Sequence, residues 1–180
     1  MMEITQQQLL AIMPNARIRA DIFLPYLNKY MLKYGICTRL RICHFLAQIA
    51  HESGELRYTK ETASGREYEG RRDLGNVNPG DGVRYKGRGL IQITGRANYK
   101  QISEATGTDF LGHPDWLELP QWAVMSACRW WDDRGLNRLA DKDALTLITQ
   151  RINGGSNGLQ DRLKYLARAK KTIKQEGGAA

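Results

Sequence analysis

Between Ala63 and Gly89 the chain places seven glycines, Gly65, Gly70, Gly75, Gly80, Gly82, Gly87 and Gly89, among Asn76, Asn78, Pro79 and Asp81. Glycine and Asn-Pro punctuation prevents any long regular element here. The stretch therefore reads as loop or short strand, and so long a connection inside a compact domain is usually functional. On both sides apolar residues recur at helical spacing. The spacing predicts helices over 5–13, with Thr5 as N-cap and Pro14 as stop, and over 17–34, ending at Gly35. A third starts near Thr38, carries Leu40, Cys43, Leu46, Ala47 and Ala50, and runs into His51-Glu52-Ser53-Gly54. Further helices are predicted at 96–106, 120–134, 141–151 and 159–175, followed by a frayed tail at 176–180. The expected fold is mainly α, one domain over 1–180, with two helical lobes around a central cleft and a long Gly-rich loop or short β region.

A chain of 180 residues suits one ordinary domain, and 42% hydrophobic with 26% charged residues suits a globular one. No basic leader with an apolar run is visible at the N-terminus, so no signal peptide is expected. No apolar stretch approaches the roughly 18 residues of a membrane span. Cys37, Cys43 and Cys128 are odd in number and lack CxxC spacing. They predict neither a metal site nor a disulfide framework. Cys43 and Cys128 read as buried thiols, as in a reducing cytoplasm. The net charge of +8 points to a polyanionic partner or simply to a soluble surface. Without zinc-finger spacing, an RNA-binding signature or a recognition-helix pattern, nucleic acid is disfavoured as that partner.

Glu52 stands where the most apolar helix gives way to Ser53-Gly54. A carboxyl against an apolar wall is suited to act as a general acid near neutrality; alone, Glu52 reads equally as an exposed helix-end glutamate. Glu61 follows nine residues later. Inverting glycan hydrolysis needs two carboxyls on opposite sides of a sugar bond, roughly 6.5–9.5 Å apart. His51-Glu52 does not extend to HExxH, because Glu55 occupies the second histidine position, and His44, His51 and His113 are widely spread. No GxSxG elbow and no phosphate-binding GKS/T follow elsewhere. The segment from Tyr85 to Gly95 is the most distinctive. If extended, it would put Gln92 and Thr94 on one face as neutral sugar-binding groups; the other reading is a structural turn beside a buried strand. Asn153-Gly154-Gly155 reads as a helix C-cap, and Arg162 after Asp161 as a surface ion pair.

Together, Phe45-Leu46-Ala47-Gln48-Ile49-Ala50-His51-Glu52-Ser53-Gly54, then Pro79-Gly80-Asp81-Gly82 through to Tyr99, then Ile152-Asn153-Gly154-Gly155 resemble glycoside hydrolase family 19. This family includes plant-type chitinases and the lysozyme-like endolysins of phages and prophages, and the likeness is close to the phage branch. It implies a lysozyme-like helical fold and single-displacement inversion with no cofactor or metal. Glu52 falls at the family's general acid and Glu61 at its general base, with Glu67 and Glu69 as rivals in a variable loop. Thr94 matches the water-positioning hydroxyl. The expected substrate-contacting set is His51, Glu69, Tyr85, Gln92, Asn98, Tyr99, Asn153 and Arg162, the last within a charge network near the base. One departure is Ala97, where chitinases carry an aromatic residue. The resemblance further implies a monomeric endolysin acting on peptidoglycan strands, with a chitinase as the alternative. Such an enzyme is made in the host bacterial cytoplasm and reaches the wall after holin-type release. The basic stretch Leu163–Lys174 offers a contact for anionic envelope lipids.

Overall fold

The computed structural model describes residues 3–174, which divide into two compact units. Unit 1 comprises 1–57 and 127–180; unit 2 comprises 58–126. The expected frayed tail lies outside the described residues.

In unit 1, α1 (Gln6–Ile12) starts as predicted. The Thr5 hydroxyl accepts from Gln8 N, and the Gln8 side chain returns to Thr5 N in a capping box. α2 (Ile18–Lys33) leads to α3 (Arg39–Glu52), whose N-cap is Thr38. Every residue from Ile42 to Ala50 is buried. A helix buried on all faces is the centre of a core rather than its cover. Around α3 pack α9 (Leu159–Thr172) and α7 (Leu136–Asp141), while α1 leans on α2 and α9. Phe45 of α3 meets Trp131 edge-on at 5.4 Å. Cys43 and Cys128 are buried and free, as expected, and Cys37 is half-buried and free.

The end of α3 is fixed by an unusual turn. Gly54, Glu55 and Leu56 all have positive φ, at 56°, 59° and 65°, a conformation that costs roughly 1–2 kcal/mol for each residue bearing a side chain. Buried contacts hold it. Ser53 Oγ donates to Ile49 O and accepts from Leu56 N, and Leu56 is buried. The Glu55 carboxylate accepts from Asn15 N, Asn15 Nδ2 and Tyr165 Oη at 2.5, 3.1 and 2.8 Å.

The predicted helix over 141–151 is corrected to α8 (Leu145–Asn153), preceded by a break and by α7, which was not expected. Asp143 has φ 54° and so ends one helix before the next begins. Its carboxylate links Lys170 Nζ at 2.5 Å to His44 Nε2 at 2.7 Å.

In unit 2, the Gly-rich stretch holds short 3-10 turns at Arg66–Tyr68 and Arg72–Leu74 and one helical turn, α4 (Asp81–Arg84). After it come α5 (Arg96–Thr106), a 3-10 turn at Pro114–Glu118 and the first part of α6 (Pro120–Asp133), which continues into unit 1. Asp81 anchors the loop. Its buried carboxylate accepts from Val77 N and Asn78 N, and Arg96 grips both oxygens at 2.7 and 2.8 Å. The expected short β region reduces, among the described residues, to isolated bridges between Lys60 and Arg88 and between Arg88 and Ile93.

His44 is fully buried, and burial, opposed by its bond to Asp143 and reinforced by the Lys170 charge, holds its pKa below the ordinary 6.5. The neutral ring donates from Nε2 to Asp143, leaving Nδ1 as a buried bare acceptor. A depressed histidine pKa adds stability that is complete above about 6.5 and drains away as pH falls through that value to the folded one. The melting temperature should therefore drop as pH is lowered from 7 to 5, and His44→Gln should flatten that slope in thermal denaturation scans.

Candidate active site

Unit 1 equips Glu52 through the face it shares with Gln48, one helical turn earlier. Arg162, 1% exposed, reaches this face from α9. Its Nη2 donates to Glu52 Oε1 at 2.5 Å and its Nη1 to Gln48 Oε1. The Glu52 side chain stays 21% exposed, so the carboxyl is clamped on one side and open on the other. The apolar wall expected around it is thus interrupted by a cation. His51 bonds through Nδ1 to Asp161 Oδ2 at 2.8 Å. Its ring lies against the turn at Gly158, where a Cβ would fall 2.3 Å from the ring. Only glycine fits there.

Unit 2 equips Glu61 by lacing three segments together. Glu61 N donates to Gly87 O, Gly89 N to Thr59 O, and Arg88 and Ile93 exchange both backbone bonds. Arg88 secures the middle segment from below, donating to Glu118, to Arg84 O and to Tyr99 Oη, while Tyr99 donates to Lys86 O. On this frame Glu61 Oε2 accepts from Tyr68 Oη at 3.0 Å. Burial and the Glu61 charge push the Tyr68 pKa up to about 12, so Tyr68 stays a donor. Glu61 Oε1 and Gln92 Oε1 are buried and find no partner among the protein's own groups. Both side chains and Thr94 converge on Gly87. A Cβ there would lie 2.8 Å from Gln92 Oε1, 3.0 Å from Glu61 Oε2 and 3.2 Å from Thr94 Oγ1. The missing side chain leaves room beside a carboxylate, an amide oxygen and a hydroxyl, a set that suits a small donor such as water.

No family model matches the chain. A glycosyl hydrolase family 19 domain-containing protein of Haemophilus influenzae is 29% identical over 163 residues, covering 73% of this chain and 80% of that protein. An Arabidopsis thaliana endochitinase is 31% identical over 121 residues, covering 67% of this chain and 42% of that protein. The crystal structure of a bacterial family 19 chitinase superposes with a TM-score of 0.75 at 19% identity, covering 98% of both chains. The chain belongs to glycoside hydrolase family 19. The mainly helical, lysozyme-like architecture is that of family 19, and its reaction class is glycoside hydrolysis.

Of the residues expected from family 19, Glu61, Gln92 and Thr94 come together in unit 2, but not on an extended face. Gln92 has φ 56° and turns the chain, while its Nε2 donates to Gly89 O and Thr94 Oγ1 donates to Gln92 O. Asn98 is exposed and donates to Thr94 O. Three expected substrate contacts lie inside the protein. Tyr85, Tyr99 and Arg162 are buried at 2%, 0% and 1% exposure and hold neighbouring groups in place. Arg162 also serves the expected acid and not the base. Glu69 is exposed, and its oxygens accept from Gly80 N and Gly82 N at 2.6 and 2.9 Å, clipping the loop. Glu67 is exposed on the turn at Arg66–Tyr68. Asn153 uses both ends of its amide within its own turn, bonding Asn157 O and Gly155 N, as the C-cap reading required. Sequence reasoning missed Gln48, Tyr68 and Gly87 as parts of the site. Only Gln48 gave a signal, as a polar residue one turn before Glu52 within the apolar run Phe45–Ala50.

Gly87 lies outside the positive-φ set, so alanine there is a steric probe without backbone strain. Gly87→Ala should lower turnover by more than about tenfold, since small misplacements at a reacting centre cost that much, with a melting temperature close to wild type. Arg162→Met should destabilise by about 2–3 kcal/mol in denaturant titrations. That is below the roughly 3–5 kcal/mol of a fully buried pair, because Glu52 keeps part of its solvation.

Proposed function

We propose that the chain hydrolyses β-1,4 bonds of an amino-sugar glycan with inversion at the anomeric carbon. Glu52 delivers a proton to the departing glycosidic oxygen, and Glu61 removes one from the attacking water. The observation that carries this reading is the outfit of Glu61. Tyr68 holds Oε2, which with the Thr94 hydroxyl and the Gln92 amide oxygen borders the open position at Gly87, while Oε1 is buried without a protein partner. A base needs its carboxylate oriented yet one lone pair unclaimed, and Glu61 meets both conditions. Neither rival does so. Glu69 has both oxygens engaged by backbone donors, and Glu67 stands in solvent.

The substrate we favour is peptidoglycan, cut by an endolysin of the phage or prophage type. The enzyme would be made in a bacterial host, reach the wall by holin-type release and act as a monomer. The charge of +8 supports this preference, because an anionic wall attracts a cationic enzyme over distances comparable to the Debye length. Chitin is the second reading, favoured by the name endochitinase carried by the Arabidopsis relative. Side-by-side turnover of purified peptidoglycan and chitin oligosaccharides distinguishes the two.

Glu52→Gln should retain the fold and lose about 100-fold or more of turnover. Glu61→Gln should lose a similar factor, while Glu67→Gln stays near wild type; a larger loss from Glu67→Gln would move the base. Proton NMR of the first product should show the α-anomer, and a β-anomer would rule out inversion.

A further inference from the structure

Residues 144–174 carry seven Lys and Arg side chains and a single acid, Asp161. Asp161 is engaged by His51, and Arg162 is buried on Glu52. The outer face of α9 is therefore predominantly positive, with Lys170 paired to Asp143 at 2.5 Å. Lys164 and Lys171 are exposed, Arg168 lies half-buried beside the Tyr165 ring, and Lys174 is exposed just past the helix end. On the same helix Leu163 is 48% exposed, and on α8 Leu147 is 52% exposed. Both leucines line a groove of about 360 Å³ together with Ala144, Leu145 and Leu159, and Asp143, Thr146 and Gln160 complete its lining. A second depression of about 310 Å³ lies on the other flank of Leu147, beside Leu139 and Arg151.

We propose that this face of α8 and α9 docks on an anionic lipid bilayer. Lys164, Arg168, Lys171 and Lys174 would meet headgroup phosphates, and Leu147 and Leu163 would enter the acyl boundary. Lysines alone are well served by water, and a scattered exposed leucine is ordinary. Two exposed leucines flanking a largely apolar groove beside a predominantly cationic helix face form the arrangement that an anionic interface stabilises. The positive charge runs along α9 instead of gathering at one end of the groove, which matches a plane of phosphates better than a single acidic peptide. Among the described residues no helix is long and apolar enough to cross a membrane, so the contact is with the surface.

The test is co-sedimentation of the full chain with phosphatidylcholine vesicles, with and without phosphatidylglycerol, at low and physiological salt. Binding should require phosphatidylglycerol and weaken with salt. Lys164→Glu/Lys171→Glu should lower it by about tenfold or more, and Leu147→Ser/Leu163→Ser by about fivefold. Both variants should keep wild-type melting temperature and wild-type hydrolysis of soluble glycan fragments, so loss of docking is separable from loss of catalysis. Absence of phosphatidylglycerol-dependent binding overturns the proposal. So does wild-type binding by the leucine variant together with equal competition from soluble polyglutamate, which would make the face a general polyanion surface.

Discussion

A buried guanidinium governs the last turn of α3. Out of water, Arg162 is tolerable only if its donors are matched, and Gln48, Glu52 and the Asn157 carbonyl match them. That requirement fixes much else. α9 must lie along α3, the turn from Asn153 to Gly158 must pass over His51, and residue 158 must lack a side chain. Glu52 is consequently held in one direction by a partner that never reaches the surface. The left-handed turn at Gly54–Leu56, strained but pinned by Glu55, prevents α3 from running on and carrying Glu52 into the interior of a helix.

Unit 2 positions its carboxylate by other means. It has little regular structure, so hydrogen bonds do what packed helices do in unit 1. Asp81 and Arg96 fasten the glycine-rich loop, Glu69 clips its backbone, and Arg88 supports the segment that carries Gly87. Glu61 is aligned by a backbone bond and by a tyrosine, and the space in front of it exists because residue 87 has no side chain. Precision arises there from many directional bonds of modest strength, each worth about 1 kcal/mol net.

The helices were legible because their cause is local. Thr5 and Thr38 cap as their side chains dictate, and α5 occupies 96–106 as its apolar spacing requires. The failures have the opposite origin. Asp143 breaks what reads as one helix because its carboxylate is claimed by His44 and Lys170, which lie 99 and 27 residues away. Gln92 turns where alternation suggests a strand, because Arg88 and Ile93 pair across it. The burial of Tyr85, Tyr99 and Arg162 was hidden for a related reason: motif matching names residues near a site, but tertiary packing decides which of them face it. Tyr68 and Gly87 act only through Glu61, and their own neighbourhoods in sequence do not announce that.

Unit 1 is assembled from two pieces of chain separated by the whole of unit 2. Domains emerging from the ribosome form as their parts become available, at about 5–20 residues per second. α3 is complete long before α9 exists, and Glu52 waits 110 residues for its guanidinium. During that interval the apolar flank of α3 has no cover of its own. A polypeptide stopped before Leu159 would hold both glutamates yet lack the guanidinium that clamps Glu52 and the helix that packs on α3.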